Sequence, residues 1–521
     1  MVLGAVVLAC AVIARRFRVA PPVLLLACGV LLGFVPVMRQ VHLPPEAVLL
    51  LFLPALLYWE SLTTSLREIR SNLRVIVLLS TLLVIATAWA VAAVAHALGL
   101  AWGPAWVLGA AVAPTDATAV GVLARALPRR ILIVLRTESL VNDGTALVIY
   151  ALAVGITRGE EHFGALHVLG LFLLAYAGGA AAGVLTAWLS VQVRRRLNDP
   201  LLGNVAVILT PFTAFLLAEA IHASGVLAVV VCGLIMSQAG PRLVHADTRQ
   251  QMQAFWPLST FLLNGALFVL VGLECQSAVR GLTSTALARG LFAVGAVSAT
   301  VIGVRFAWFH TTPYVIRMLD RRPQQRLRRI GARARMVSAV AGFRGAVSLA
   351  AALAVPETVA SGAPFPDRDL IIFVTAGVVV VTVVVQGLLL PAVVRWARLD
   401  PDTSVDTERH LAETLATEEA LAAIPQLAAD LGTEPEITSR LRREYEKHLR
   451  LLHANDVGAD DEPAVRYDQQ YTALRRAVLA HKRATVVRLR DERRIDDIVL
   501  RQIQSRLDIE EVRLAQREAA D

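Results

Sequence analysis

Apolar stretches of about 20 residues follow one another along the first 400 positions, the length that crosses a hydrocarbon core as helix. The pattern predicts thirteen spans, near residues 2–14, 20–37, 45–64, 73–97, 104–124, 131–156, 165–193, 204–221, 223–239, 256–273, 287–316, 335–355 and 369–395. The shortest is the first, "MVLGAVVLACAVIA", which lacks a basic start and a cleavage site and reads as a helix rather than a removed leader. The narrowest separation is "IHASG", residues 221 to 225.

After residue 400 the pattern changes. Glu, Asp and Arg become dense, with apolar residues at helical spacing in "LAETLATEEALAAI", "SRLRREYEKHLRLL" and "ALRRAVLAHKRATVVRLRDERR". Pro425, Pro435 and the acidic "NDVGADDEP" are expected to interrupt these helices. Two domains follow: a membrane domain over 1–400, and a helical tail over 401–521 that either caps the fold or regulates it.

Composition fits this division. Of 521 residues, 56% are hydrophobic and 18% charged, with a mean hydropathy of +0.59; ordinary soluble domains carry about 25% charged residues. The net charge of +9 is almost all arginine, since Lys447 and Lys482 are the only lysines. These arginines sit in alternate loops, which points to a membrane rather than nucleic acid. Arg15, Arg16 and Arg18 follow span one, Arg67, Arg70 and Arg74 span three, and Arg125, Arg129 and Arg130 span five. Arg194, Arg195 and Arg196 follow span seven, and Arg242 and Arg249 span nine. Eight arginines fill Arg317–Arg335 after span eleven. The loops between are short, neutral or mildly acidic. The alternation predicts an outside N-terminus, a cytoplasmic tail and an odd number of spans in a plasma membrane. The Arg317–Arg335 loop could also meet anionic lipid, although orientation alone accounts for it. Cys10, Cys28, Cys232 and Cys275 lack metal-site spacing and read as small hydrophobes.

Three carboxylates fall inside apolar runs: Asp116 in "AVAPTDATAVGVL", and Glu138 and Asp143 in "TESLVNDGTALVIY". A charge at bilayer depth costs at least ~2.5 kcal/mol on insertion scales. Asp116 and Asp143 each lie about a dozen residues into their spans, so both approach the midplane at a rise of about 1.5 Å per residue. Residues four apart share a helix face. Ser139 and Asp143 therefore form one stripe, and Glu138 and Asn142 the next. Oxygens of Asp, Ser and Thr suit a hard cation stripped of water. Partial desolvation favours the protonated form of a carboxyl group, so such a site can take a proton and a cation in turn.

Two helix breaks accompany these acids. Pro114 in "APTDATA" removes a backbone donor and disfavours helix at Ala113. Gly342 and Gly345 flank Arg344 in "VAGFRGAVSLAAA". One break early and one late fits inverted repeats whose broken helices cross at an ion site. Arg344 requires a partner at that depth, and Glu138, turned away from the Asp143 stripe, is the expected one, as a structural ion pair. Arg305 and Glu219 are further intramembrane charges, with Glu219 expected at the outer interface beside His222. Asp199 reads as a solvated loop residue.

"PTDATAV", "ESLVNDGTALV", "GFRGAVSLAAAL" and "AEAIHASGVLAVVVCGL" together resemble the NhaP-type Na⁺/H⁺ antiporters, of the family that includes the NHE exchangers. The resemblance covers roughly residues 5 to 400. It implies an all-α fold of thirteen helices with crossing broken helices, a homodimer, and a core domain moving against a dimerisation domain. It implies a monovalent cation near Asp143, Ser139 and Thr115, with Asp116 at the crossing and Glu138 with Arg344 as the ion pair. The Asn142–Asp143 pair is similar to that of the electroneutral branch, implying one cation for one proton. The family often places an acid five residues after a proline in span three. Here Trp59 holds that place and Glu60 follows it, which turns Glu60 by about 100° and leaves it outside the expected site.

The expectation is thus a secondary antiporter exchanging Na⁺, Li⁺ or K⁺ for H⁺, not an enzyme, and without cofactor or nucleic-acid partner. A cation channel would require a continuous pore, often with a repeated filter segment, and the sequence shows none. A membrane sensor signalling through the tail would not need Thr115, Asp116, Asn142 and Asp143 intact.

Overall fold

In the computed structural model the described residues are 2–17, 21–36, 48–116, 127–159, 165–197, 199–243, 246–280, 284–319, 331–399, 404–456, 463–492, 494 and 497–520. Among them the secondary structure is helical, with one isolated bridge, Thr358–Pro364. The chain divides into two compact units, Met1–Pro401 and Asp402–Asp521.

The first unit opens with α1 (Val2–Phe17) and α2 (Pro21–Leu32), followed by a π-helical turn, Val48–Phe52, that leads into α3 (Leu53–Thr63). A second π turn, Leu78–Leu83, joins α4 (Leu66–Val77) to α5 (Val84–Ala97). The helix α6 (Trp102–Val112) stops just before Pro114, and α7 (Arg129–Arg158) carries the central acids. Gly159 closes α7 in the left-handed region, φ 76°. Then come α8 (Ala165–Arg196), α9 (Pro200–Ala220), α10 (Gly225–Leu243), α11 (Ala246–Arg280) and α12 (Ser284–Leu319). The late break separates α13 (Ala332–Val340) from α14 (Ala346–Leu353). A third π turn, Thr382–Gln386, links α15 (Arg368–Val381) to α16 (Gly387–Ala397). The "IHASG" boundary is a real chain reversal, with His222 at φ 54° between α9 and α10.

Every window marked in the sequence carries helix among the described residues. Seven helical stretches are long and apolar enough to cross a membrane: 75–97, 131–158, 170–196, 201–220, 248–274, 287–316 and 368–397. The other windows hold shorter or broken helices. Large apolar side chains such as Trp89, Trp188, Leu216 and Phe292 face outward, the arrangement of helices solvated by lipid.

Asp199 is not merely solvated. Its carboxylate accepts the Leu201 and Leu202 N–H groups at 2.7 and 3.2 Å and caps α9, with Pro200 at the first helical position. Glu219 is exposed near the end of the same helix. Cys10 and Cys232 are buried, and the Cys10 and Cys28 thiols meet at 3.3 Å between α1 and α2.

Three apolar clusters frame the interior. One joins α5, α6, α12 and α15 through Val91, Leu108, Val297 and Ile371. Another joins α1, α2, α11 and α15 through Val7, Leu26, Val269 and Val379. A third joins α3, α8, α9 and α10 through Tyr58, Ala187, Phe215 and Val229. The α2–α11 crossing depends on two glycines: a Cβ on Gly29 would stand 2.9 Å from Gly272 Cα, and one on Gly272 would stand 2.8 Å from Gly29 Cα.

The second unit contains α17 (Ser404–Asp430), α18 (Pro435–Asp456), α19 (Pro463–Asp491) and α20 (Asp497–Ala520). Pro435 starts a helix, whereas Pro425 lies inside α17 without ending it. Only one backbone donor is lost at Pro425, and most side chains around it are exposed, so water can serve the freed Leu421 carbonyl. Leu479 of α19 packs with Leu507 and Leu514 of α20, and Arg483 bridges Asp508 at 2.7 Å and Glu511 at 2.5 Å. Most of the "NDVGADDEP" stretch lies outside the described residues.

Candidate ion-binding site

The two breaks meet. The Asp116 N–H donates to the Phe343 carbonyl at 2.9 Å, tying the end of the α6 segment to the linker between α13 and α14. Broken helices leave carbonyls at one end and N–H groups at the other without intrahelical partners. Here side chains answer them. Arg344 donates from Nε to the Val112 carbonyl at 2.9 Å and from Nη2 to the Ala113 carbonyl at 3.3 Å, both at the C-terminal end of α6. Its Nη1 reaches the Gly342 carbonyl at 2.5 Å. Its own N–H donates to Thr382 Oγ1, 3.2 Å away, at the π turn after α15. At the other end, the Asp116 carboxylate lies against Gly345, the N-cap of α14, where any Cβ would overlap it. A cation at helix C-termini and an anion at a helix N-terminus both complement the macrodipole.

The expected Glu138–Arg344 ion pair is not formed. Glu138 instead binds Arg305 of α12 in a fork: Nη1 donates to Oε1, and Nη2 to Oε2 at 3.1 Å. Arg305 also donates from Nε and Nη2 to the Ser338 carbonyl in the last turn of α13, at 3.2 and 3.1 Å. All three side chains, Glu138, Arg305 and Arg344, are only 1% exposed. The physical reason is donor accounting. The guanidinium of Arg344 is consumed by carbonyls at the crossing, and Arg305, on a continuous neighbouring helix, reaches the acid.

Behind the crossing, Thr115 Oγ1 donates to Glu138 Oε1 at 3.2 Å and accepts from Asn142 Nδ2 at 2.7 Å. Asn142 thus braces the break, and its Oδ1 is buried without a partner. The next stripe of α7 faces a cavity. Ser139 and Asp143 line it with Pro114, Thr115, Asp116 and Glu60. Asn264 of α11 and Ser348 of α14 complete its polar lining. Asn142, Glu138 and Arg344 do not line it. Of the expected site residues, Asp143, Asp116, Ser139 and Thr115 are therefore gathered at one cavity, and the others stand behind it.

Glu60 corrects the sequence expectation. The spacing from Pro54 turned it away, but Leu53, Leu56, Leu57 and Glu60 all line the cavity. These positions follow helical i, i+3, i+4, i+7 spacing, one face of α3. Trp59 points elsewhere and stacks on Trp256, 5.9 Å between centroids at 6°. The stripe was present in the sequence. For Asn264 the sequence offered only one polar residue within "FLLNGALF"; for Ser348, its place three residues after the glycine of the break. The arginine-rich Arg317–Arg335 loop lies largely outside the described residues. Its last member, Arg335, stacks on Tyr314 at 5.6 Å.

The model of the family described as sodium/hydrogen exchanger, transmembrane, matches residues 2–396. An uncharacterized Na(+)/H(+) exchanger of Mycobacterium tuberculosis H37Rv is 47% identical over 505 residues, 96% of this chain and 93% of the relative. The Na(+)/H(+) antiporter ApNhaP of Aphanothece halophytica is 30% identical over 420 residues, 79% of this chain and 76% of that protein. Among solved structures, the sodium proton antiporter MjNhaP1 of Methanocaldococcus jannaschii shares the fold, with a TM-score of 0.56 at 17% identity over 75% of this chain and 97% of that one. A cavity of acids at the meeting of two broken helices, a match spanning the membrane unit and relatives aligned over most of their length lead to one conclusion: the chain belongs to the sodium/hydrogen exchanger family.

Proposed function

We propose that this protein exchanges Na⁺ for H⁺ across the membrane, with Asp143 as the group the two ions share. The observation that carries the reading is the cavity that gathers Asp143, Asp116 and Glu60 beside Ser139, with Asp143 only 6% exposed. A buried carboxylate left as a bare anion is costly. It is relieved either by a proton or by a cation that also takes the neighbouring oxygens. Binding of one excludes the other, and alternating exposure of a site that is never left empty gives antiport. Ser139, Thr115 and Asp116 complete the cation's shell, with Na⁺ as the first substrate and Li⁺ or K⁺ as further ones. The Asn142–Asp143 pair resembles that of the electroneutral branch, which supports one cation exchanged for one proton. The protein works as a homodimer in the plasma membrane, with the N-terminus outside and the tail in the cytoplasm.

The test is dequenching of a pH dye in proteoliposomes on addition of Na⁺, Li⁺ or K⁺, for wild type and Asp143→Asn. Exchange is expected in wild type and absent in the variant, with both proteins eluting as the same monodisperse species. Exchange retained by Asp143→Asn would remove the centre of the mechanism.

A further inference from the structure

Ser348 is the third residue of α14, the short helix that starts after the crossing. Its side chain lines the same cavity as Asp143 and Asp116. It is 1% exposed, and its hydroxyl has no hydrogen-bond partner. Thr137, Thr186, Ser298 and Thr375 also carry buried hydroxyls without a partner, but of these five only Ser348 lines the cavity. Further buried hydroxyls on helices are satisfied locally. Ser61 donates to the Leu57 carbonyl at 2.6 Å, Thr87 to Leu83 at 2.7 Å and Thr210 to Ala206 at 2.7 Å, the common back-bond to the fourth preceding residue. For Ser348 that residue is Arg344, which lies in the non-helical linker rather than in a helix turn. The break that builds the crossing thus removes this hydroxyl's ordinary acceptor. Among the described residues, the hydroxyls of Thr115, Ser139 and Ser348 line the cavity, and of these the last is the uncommitted one: Thr115 is tied to Glu138 and Asn142, and Ser139 has an interaction of its own.

A buried hydroxyl without a partner costs free energy, and one that lines the cavity of Asp143 can recover that cost when an ion binds there. Resting on the Na⁺/H⁺ reading above, we propose that Ser348 is a further ligand of the transported cation, supplying an oxygen from α14. A dehydrated hard cation needs several oxygens at once. Carboxylates supply them with charge; a neutral hydroxyl adds one without a further negative charge to neutralise. A proton needs only one carboxylate oxygen. Ser348 therefore sets cation affinity and selectivity while leaving the proton half of the cycle alone. The loss on its removal is graded by the cost of dehydration, largest for Li⁺, then Na⁺, then K⁺.

The experiment compares wild type with Ser348→Ala in proteoliposomes at a fixed pH gradient, varying each cation. The variant is expected to raise the KM for Na⁺ about tenfold, equivalent to about 1.4 kcal/mol, with the maximal rate and its pH profile unchanged. Thermal unfolding in detergent supplies a reading independent of transport. Because the hydroxyl is unpaired, Ser348→Ala should not lower the Tm without cation, yet should shrink the upward shift that Na⁺ produces. An unchanged KM for Na⁺ and Li⁺ would overturn the proposal, as would a lowered cation-free Tm with KM unchanged, which would make the hydroxyl structural. Absence of exchange in wild type would instead sink the antiport reading itself.

Discussion

Arg305 and Arg344 answer the same difficulty in different ways. Each brings a full charge into a dry interior, and each is placed at the C-terminal end of a half-helix, α13 and α6 respectively. Arg305 has Glu138 as counter-ion, whereas Arg344 is held by three carbonyls. Which arginine took the acid was not legible in the sequence. Glu138 and Arg305 are 167 residues apart, and a guanidinium on a long side chain is assigned by packing, not by spacing. What could be read was the division of faces on α7, because period 3.6 separates Ser139 and Asp143 from Glu138 and Asn142. Removing one member of a buried pair leaves a bare charge and costs about 3–5 kcal/mol. Glu138→Gln and Arg305→Ala should each lower the unfolding temperature markedly, and the double variant by less than their sum. Thermal unfolding cycles pairing Glu138→Gln with Arg305→Ala, and separately with Arg344→Ala, measure this. Stronger coupling to Arg344 would mean that the ion pair is misassigned.

At the scale of elements, the long apolar windows were readable because each must satisfy its backbone internally within lipid. The breaks were readable because Pro114 and the Gly342–Gly345 stretch are poor in helix. The π turns at Val48–Phe52, Leu78–Leu83 and Thr382–Gln386 were not, since their residues are good formers of ordinary transmembrane helix. One of them matters to the crossing, because Thr382 accepts the Arg344 N–H there. Glu60 belongs to the cavity for a related reason: the face of α3, not the distance from Pro54, decides where its side chain goes. Between the broken segments, the Asp116 carboxylate stands where a Cβ on Gly345 would be. Gly345→Ala inserts a methyl group where that carboxylate stands, and Asp116 must move. Displacement of about 1 Å at a working site can cost on the order of 100-fold in rate, and such a loss is expected here in dye-dequenching rates. The helices themselves need not change, so the variant should remain monodisperse. A variant exchanging at the wild-type rate would show that Asp116 need not hold its place at the head of α14.

The whole molecule divides where its solvent divides. Up to Pro401 many exposed side chains are large and apolar, as on a lipid-facing protein; from Asp402 onward charged side chains are dense, with apolar ones such as Leu431 and Leu474 exposed among them. The division was legible because the hydrophobic pattern changes from continuous windows to amphipathic spacing. The side proposed for the second unit rests on charge. Arginine-bearing loops alternate with neutral ones through the first unit, and arginine is retained on the cytoplasmic face. The last of these loops, Arg317–Arg335, is separated from the tail by two windows, the broken α13–α14 pair and the α15–α16 pair. Two crossings would return the chain to the same face, and the proposed orientation puts loop and tail together in the cytoplasm. Protease added to intact cells should leave a C-terminal epitope attached, and should remove it from inverted membrane vesicles. The tail offers many cleavage points, with arginines throughout Arg440–Arg506, so trypsin is suited to the purpose. Removal of the epitope from intact cells would reverse the orientation, or require an even number of crossings after that loop to become odd.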